Sequence, residues 1–370
     1  MREDEMAHRA VSLSLSIRDE RLRGRQFSGV VSSFGEALVD EFPSGFDLVI
    51  VGADGERARI YGGEACRVGE SVPVRATTLY DLASLTKVVV TTPLALWLRD
   101  GGHWDLDHPL QRWVPDYPHP QTTLRELLTH TSGLAAHYPF YRDGAVGVAS
   151  VRQALMREVA HELGPRTVLY SDLNFMLLGW AIEQCAQSSL DRLFTTVIGR
   201  PLAMSTARFR PASSQRRQTA ATELDGDQRL GPGLVWGEVH DGNAFAMGGV
   251  SGHAGLFASA GDLTRFAMSI LGATSSSILE VSTVREMARA AAGRPPDVRG
   301  LGWRVDPAEW GEWPAGTIWH TGFTGTSLLV APALDVAVVL LTNAIHPVRQ
   351  MDRQSAFRAD LHRRVLEVVA

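Results

Sequence analysis

Short, strongly apolar runs stand close together at both ends of this chain, and that spacing limits how they can pair. Near the start, FDLVIVGADGERARIYGGEA (46–65) reads as two strands joined at Asp54-Gly55, a dipeptide favoured in tight hairpin turns. Near the end, TIWHTG (317–322), TSLLVAPA (326–333) and VAVVLLTN (336–343) repeat the pattern, with turn residues between them. Parallel pairing needs a crossover of roughly a dozen residues or more, so strands this close pair antiparallel. Between the two ends, from about Thr78 to Gly199, the periodicity is helical. TTLRELLTHTSGL carries a capping-box spacing at Thr123 and Glu126, with Gly133 as a stop, and DLNFMLLGWAIEQCA starts at Ser171 or Asp172. SAGDLTRFAMSIL repeats the cap at Ser259 and Asp262. Apolar spacing also predicts a lead helix over 10–24 and a last helix over about 353–369, while 211–261 reads as long loops.

The expected fold is therefore α/β in the α+β sense: an antiparallel sheet flanked by helices, built from both termini, with an inserted, mostly helical domain. The sheet domain is placed at 1–77 and 245–370, and the helical domain with its site loops at 78–244. A chain of 370 residues, 45% hydrophobic, can bury cores of that size. Its net charge of −5 and lack of a basic run argue against nucleic-acid binding. No run reaches the ~18–20 apolar residues of a membrane span. The N-terminal stretch mixes charges where a signal peptide would be apolar, which gives a cytoplasmic expectation. Cys66 and Cys185 then read as reduced thiols. The histidines form no His-Glu-x-x-His and no Cys/His cluster, and no phosphate- or dinucleotide-binding glycine loop is present, so neither a metal nor a cofactor is implied.

The chemistry concentrates in YDLASLTKVVVTTP (80–93). Lys87 is the only lysine; with Lys+Arg at 36, 36 − 1 leaves 35 arginines. Ser84 and Lys87 are three apart, which puts hydroxyl and amine on one helix face. At the first helical turn, backbone N–H groups and the helix dipole would also favour an oxyanion. A lysine can take a serine proton if its pKa falls from ~10.4, whereas arginine stays protonated. Against this stands the fact that Ser-x-x-Lys occurs in many helices by chance. The following VVVTTPLALWL is poor in helix formers, so packing must stabilise it, and Pro93 should remove the bond to Val89 and bend the axis.

ASLTK (83–87), Tyr-Ser-Asp (170–172) and HTG (320–322) stand in the order and rough spacing of three known motifs. Together with LTHTSGL (128–134), GHAGLF (252–257) and LTNAIHP (341–347), they resemble the serine β-lactamase-like superfamily: class C β-lactamases, D-alanyl carboxypeptidases, and related esterases and transesterases. The resemblance runs from about Phe46 to the C-terminus. It implies Ser84 as the acylated nucleophile, Lys87 as sharer or relay of its proton, and Tyr170 as general base or shuttle. Asp172 stands where the family has asparagine, so a substrate amide contact is in doubt, and a cap role is equally open. Asn174 is a nearby substitute. His320-Thr321-Gly322 stands for Lys-Thr-Gly, with the Phe323 N–H joining that of Ser84 in an oxyanion hole. Replacing a fixed positive charge by a mostly neutral histidine should weaken binding of carboxylates and ease acceptance of uncharged esters.

Other motifs are weaker. GGVSGHAG has His253 where a Gly-x-Ser-x-Gly elbow needs glycine, so Ser251 reads as a loop residue and His130 as structural. Trp236, His240 and Asp241 lie in a loop that could wall a site. The expectation is serine-dependent acyl transfer on a small-molecule ester or amide, with hydrolysis of an ester first. Transfer to an amine or alcohol in natural-product biosynthesis is the alternative. β-Lactamase or carboxypeptidase activity and a non-catalytic ligand-binding role follow behind.

Overall fold

β2 (Gly45–Gly52) is buried along its whole length because both its faces carry apolar side chains. Leu48 and Ile50 join one core cluster with Val30, Phe34, Leu361 and Val365. Val49 and Val51 point the other way, into a larger cluster with Leu82, Leu94, Phe175 and Phe266. The period-2 alternation of a strand thus feeds two cores, one on each side of the sheet. The protein is described by a computed structural model over residues 13–19, 25–40, 42–161, 163–224, 233–272 and 278–370.

The main sheet is antiparallel throughout. Its strands are β1 (Ser14–Ile17), β2, β3 (Gly55–Cys66), β8 (Ala292–Arg294), β9 (Asp297–Arg299), β10 (Arg304–Val305), β11 (Ile318–Thr321), β12 (Ser327–Ala331) and β13 (Val336–Thr342). They run in the order β1-β3-β2-β13-β12-β11-β10-β9-β8, with β4 (Val72–Pro73) paired to β3. Strands from the start and the end of the chain meet where β13 pairs with β2. A small second sheet, β5 (Tyr80–Asp81), β7 (Leu256–Ala258) and β6 (Arg208–Phe209), lies beside the segment that leads to Ser84. Helices Arg25–Val39 and Met351–Val369 cover one face of the main sheet. Helix Ala260–Ile270 packs on β2 and β13, on the side of the larger core that also holds the helical middle of the chain.

Several local expectations move. The hairpin turn is Ala53-Asp54, because Gly52 pairs with Gly55, whose φ of 132° suits glycine. The lead helix over 10–24 is replaced in its described part by β1, since SLSLSI alternates with a strand's period, and the helix lies at Arg25–Val39 instead. Residues 10–12 and 20–24 of that expectation lie outside the described residues. The capping boxes at Thr123 and Ser259 form. The first of these helices stops at Thr129, ahead of Gly133, because His130 already takes a left-handed φ of 57°. Strands β8 to β10, invisible as apolar runs, extend the sheet past β11. No described helix is long and apolar enough to cross a membrane.

Asn343 ties the two ends of the chain to the loop region. Its Oδ1 accepts from Gly45 N at 2.7 Å, and its Nδ2 donates to Ala65 O at 3.2 Å and Ala221 O at 3.1 Å. It is 1% exposed, so its removal strands buried backbone groups. Asn343→Ala is expected to cost about 3 kcal/mol of unfolding free energy, read by urea denaturation; a loss below ~1 kcal/mol would contradict this account.

Candidate active site

The turn carrying Ser84 is fixed from three directions. Leu82 N donates to Leu256 O at 3.0 Å, extending the small sheet. From the main sheet, Thr324 Oγ1 donates to Asp81 O at 2.7 Å and Thr326 Oγ1 to Leu82 O at 3.2 Å. The Asp81 carboxylate accepts from Ala83 N at 2.8 Å and from His240 N at 2.7 Å. Within this frame Ala83 is held at a φ of 47°, a left-handed conformation unusual for alanine and typical of a constrained functional turn. Ser84 follows, and Lys87 N closes back to Ser84 O at 3.1 Å.

Helical geometry then widens. Lys87–Thr91 form a π-helical turn, in which Thr92 N donates to Lys87 O, before an α-helix runs over Thr92–Asp100. Pro93 therefore enters as the second residue of the α-helix, where its missing N–H costs little. Lys87 thus opens a widened turn, a device common at functional sites.

Lys87 is fully buried and reaches Ser84 Oγ at 2.8 Å. It also donates to His253 O at 3.0 Å and pairs with Asp172 Oδ1 at 2.8 Å. Burial works to lower the Lys87 pKa, but the charges and hydrogen bonds of Asp172 and Tyr170 outweigh it and hold the ammonium above its ordinary range. The lowered lysine pKa expected from the sequence is thus reversed, because Asp172 supplies the counter-charge. Burial alone would raise the Asp172 pKa, yet Lys87, His137 and His253 hold it below the usual carboxylate range. Asp172 begins the Asp172–Ala186 helix but spends its carboxylate on Lys87 and on His137, whose Nδ1 lies 3.4 Å from Oδ2.

Tyr170 stands over Lys87, with the ammonium 5.1 Å from its ring centre. His130 brackets it: its carbonyl accepts from Leu169 N at 2.9 Å and its Nδ1 from Ser171 N at 3.1 Å. Asn174, a candidate from its closeness to the motif, is fully buried behind this bracket. Its Oδ1 accepts from Ser132 Oγ at 2.6 Å and its Nδ2 lies 3.3 Å from His130 Nδ1, so it holds the scaffold and does not line the cavity.

His320, on β11, sits 5.8 Å from Tyr170 between ring centres and is 3% exposed. Burial, then the charges of Lys87 and Arg299, push its pKa well below that of an ordinary histidine. Arg299, which the sequence did not single out, lies over the Tyr170 ring at 5.2 Å and is 4% exposed, with Nη1 lacking a partner among the described residues. It comes from β9, a strand without a sequence signature.

Thr321 closes β11. A Cβ at Gly322 would collide with Thr326 Oγ1 and the Leu82 carbonyl, so this glycine lets β11 approach the Ser84 turn rather than serving substrate approach alone. The N–H groups of Ser84 and Phe323 make no backbone hydrogen bond among the described residues, as an oxyanion pair requires. Ser84, Tyr170, Asp172, His137, Asp241 and Phe323 all line one cavity of about 410 Å³. His240 and Asp241 form part of its wall, while Trp236 is buried elsewhere, donating to Thr219 O at 2.8 Å. Ser251 lies in a loop as expected, and its Oγ lies 2.7 Å from His253 Nδ1, while His253 Nε2 lies 2.8 Å from Asp241 Oδ1. Ser251 and His253 are buried, and the chain braces the His253 carbonyl that accepts from Lys87.

One outcome follows for His320. In a pH titration followed by NMR of the imidazole nitrogens, His320 should take up its proton at a lower pH than an ordinary exposed histidine; titration in or above the ordinary histidine range would overturn the electrostatic account.

A family model described as Beta-lactamase matches residues 36–363. A relative from Escherichia coli K12, named "Putative D-alanyl-D-alanine carboxypeptidase", is 34% identical over 310 residues, 74% of this chain and 71% of its own. The class C β-lactamase structure from Rhodobacter sphaeroides covers 92% of this chain and 99% of its own, with a TM-score of 0.71 at 20% identity. EstCE1, titled "a hydrolase with promiscuous acyltransferase activity", covers 91% and 98%, with a TM-score of 0.72 at 22% identity. Fold, family model and curated relative converge: the chain belongs to the Beta-lactamase family and is a serine hydrolase or acyltransferase of the Ser-x-x-Lys type.

Proposed function

We propose that the protein hydrolyses small-molecule esters through an acyl-Ser84 intermediate. The observation that carries this is the 2.8 Å contact between the buried Lys87 ammonium and Ser84 Oγ on a cavity wall. The ester carbonyl oxygen sits between the N–H groups of Ser84 and Phe323. Ser84 Oγ bonds to the carbonyl carbon. Its proton passes to Lys87 as Lys87 yields one to Tyr170 and Tyr170 yields one to the departing alkoxide. The C–O bond to the alcohol breaks and the lysine charge is unchanged overall. Because Lys87 only relays, its raised pKa is no obstacle, and Asp172 keeps the relay charged and in place.

The neutral His320 supports an uncharged ester: the motif position offers no fixed cation to a substrate carboxylate. Phe323, Ala254, Pro139 and Tyr141 give the cavity an apolar side. A second reading, cleavage of a peptide near its carboxyl end, is supported by the name of the Escherichia coli relative and by Arg142 and Arg349 in the cavity lining. The Arg349 charge is shared with Glu223 at 2.6 Å, which weakens that reading. Transfer of the acyl group to an amine or alcohol uses the same intermediate with another acceptor.

The test is intact-protein mass and turnover with short-chain activated esters and with a peptide ending in two D-alanines, each with and without an added amine. Wild type should gain the acyl mass and turn esters over faster than peptide. Ser84→Ala should lose the adduct and at least about 10³-fold of the rate. Lys87→Arg keeps the charge without the relay and should lose on the order of 10²-fold. Preferred cleavage of the peptide would replace the ester reading by the second one, and amide formation with added amine would establish transfer.

A further inference from the structure

Asp172 has two carboxylate oxygens and two partners of different kinds. Oδ1 faces Lys87 at 2.8 Å, and Oδ2 faces His137 Nδ1 at 3.4 Å. The lysine is completely buried, whereas His137 is 42% exposed and lines the cavity that holds Ser84. An asparagine at this position would offer one acceptor and one donor and would set no negative charge beside the imidazole. A carboxylate orients an imidazole, fixes its tautomer and stabilises the imidazolium without itself taking the proton, as in other Asp–His pairs of hydrolytic sites. His137 comes from the loop before the Tyr-Ser-Asp segment, and Asp172 N donates to the neighbouring Ala136 O at 2.8 Å, which ties that loop to the helix start.

We propose that His137 is the general base for the second half of the reaction, positioned by Asp172. This rests on the acyl-Ser84 reading. Water entering the cavity is deprotonated by His137 as its oxygen bonds to the acyl carbon. The tetrahedral oxyanion collapses, the C–Oγ bond to Ser84 breaks, and Lys87 gives Oγ a proton. His137, which is 42% exposed, then releases its proton to solvent, and Lys87 regains one from cavity water by way of Tyr170. The product acid leaves, and His137 is neutral and Lys87 charged again. The first half needs no base beyond Lys87 and Tyr170, so His137 enters only in the second. An alcohol or amine acceptor would be deprotonated at the same imidazole.

Stopped-flow kinetics with a p-nitrophenyl ester, joined to intact-protein mass, separate the two halves. In His137→Ala the burst of nitrophenol should survive while steady-state turnover falls on the order of 10²-fold, and acyl-Ser84 should become the accumulating species. His137→Gln should behave alike, and added imidazole should restore turnover to His137→Ala but not to His137→Gln, which fills the space. Asp172→Asn should slow deacylation as well, with weaker rescue. Turnover within ~3-fold of wild type and no accumulated adduct in His137→Ala would overturn the proposal, as would loss of the burst in both His137 variants with native circular dichroism. Failure of wild type to acylate at Ser84 would instead remove the acyl-enzyme reading on which it rests.

Discussion

A single buried ammonium organises this site. Lys87 has no contact with bulk water, so each of its protons needs a protein acceptor, and the chain supplies them from far-apart segments: Ser84 from its own turn, the His253 carbonyl from the loop before β7, and Asp172 from a helix start. Removing one partner of such a buried pair leaves an uncompensated charge worth about 3–5 kcal/mol, so these segments must arrive together. That requirement explains the surrounding braces. His130 holds the Tyr170 segment, Gly322 lets β11 close on Leu82, and the chain Ser251–His253–Asp241 steadies the carbonyl under the lysine.

Counter-charge also decides the chemistry. With an asparagine beside it, a buried lysine drifts toward the neutral form because desolvation disfavours charge. Asp172 reverses the balance. On the mechanism proposed here, serine activation is then a matter of exchanging protons along a charged relay, not of an amine waiting as a free base. The same logic makes His320 neutral: with Lys87 and Arg299 close by and water excluded, a third positive charge is not tolerated.

How much of this was legible beforehand follows from how local each feature is. Ser84 and Lys87 meet because three-residue spacing on a helix is a property of the chain alone. The antiparallel sheet drawn from both ends was legible because buried strands of alternating pattern leave a continuous apolar mark. Arg299 and His137 were not, since neither carries a local pattern; one depends on the short strands β8 to β10, the other on how a loop folds over a helix start. Asp172 was ambiguous because an acidic residue at that place serves equally as a cap or as a counter-ion, and only a buried lysine across the gap decides. Asn174 was misplaced for a similar reason: two residues along a helix turn a side chain to the opposite face.

Ala83 carries a consequence of its own. Its left-handed backbone precedes the proposed nucleophile and costs on the order of 1 kcal/mol, a cost that glycine would avoid. Alanine, however, narrows the alternatives open to the turn once it is formed, and so limits how far Ser84 can wander from Lys87. Selection for heat resistance alone would be drawn to this position, exchanging alignment for ease of folding. The turn is thus a place where durability and catalytic readiness pull on one methyl group in opposite directions.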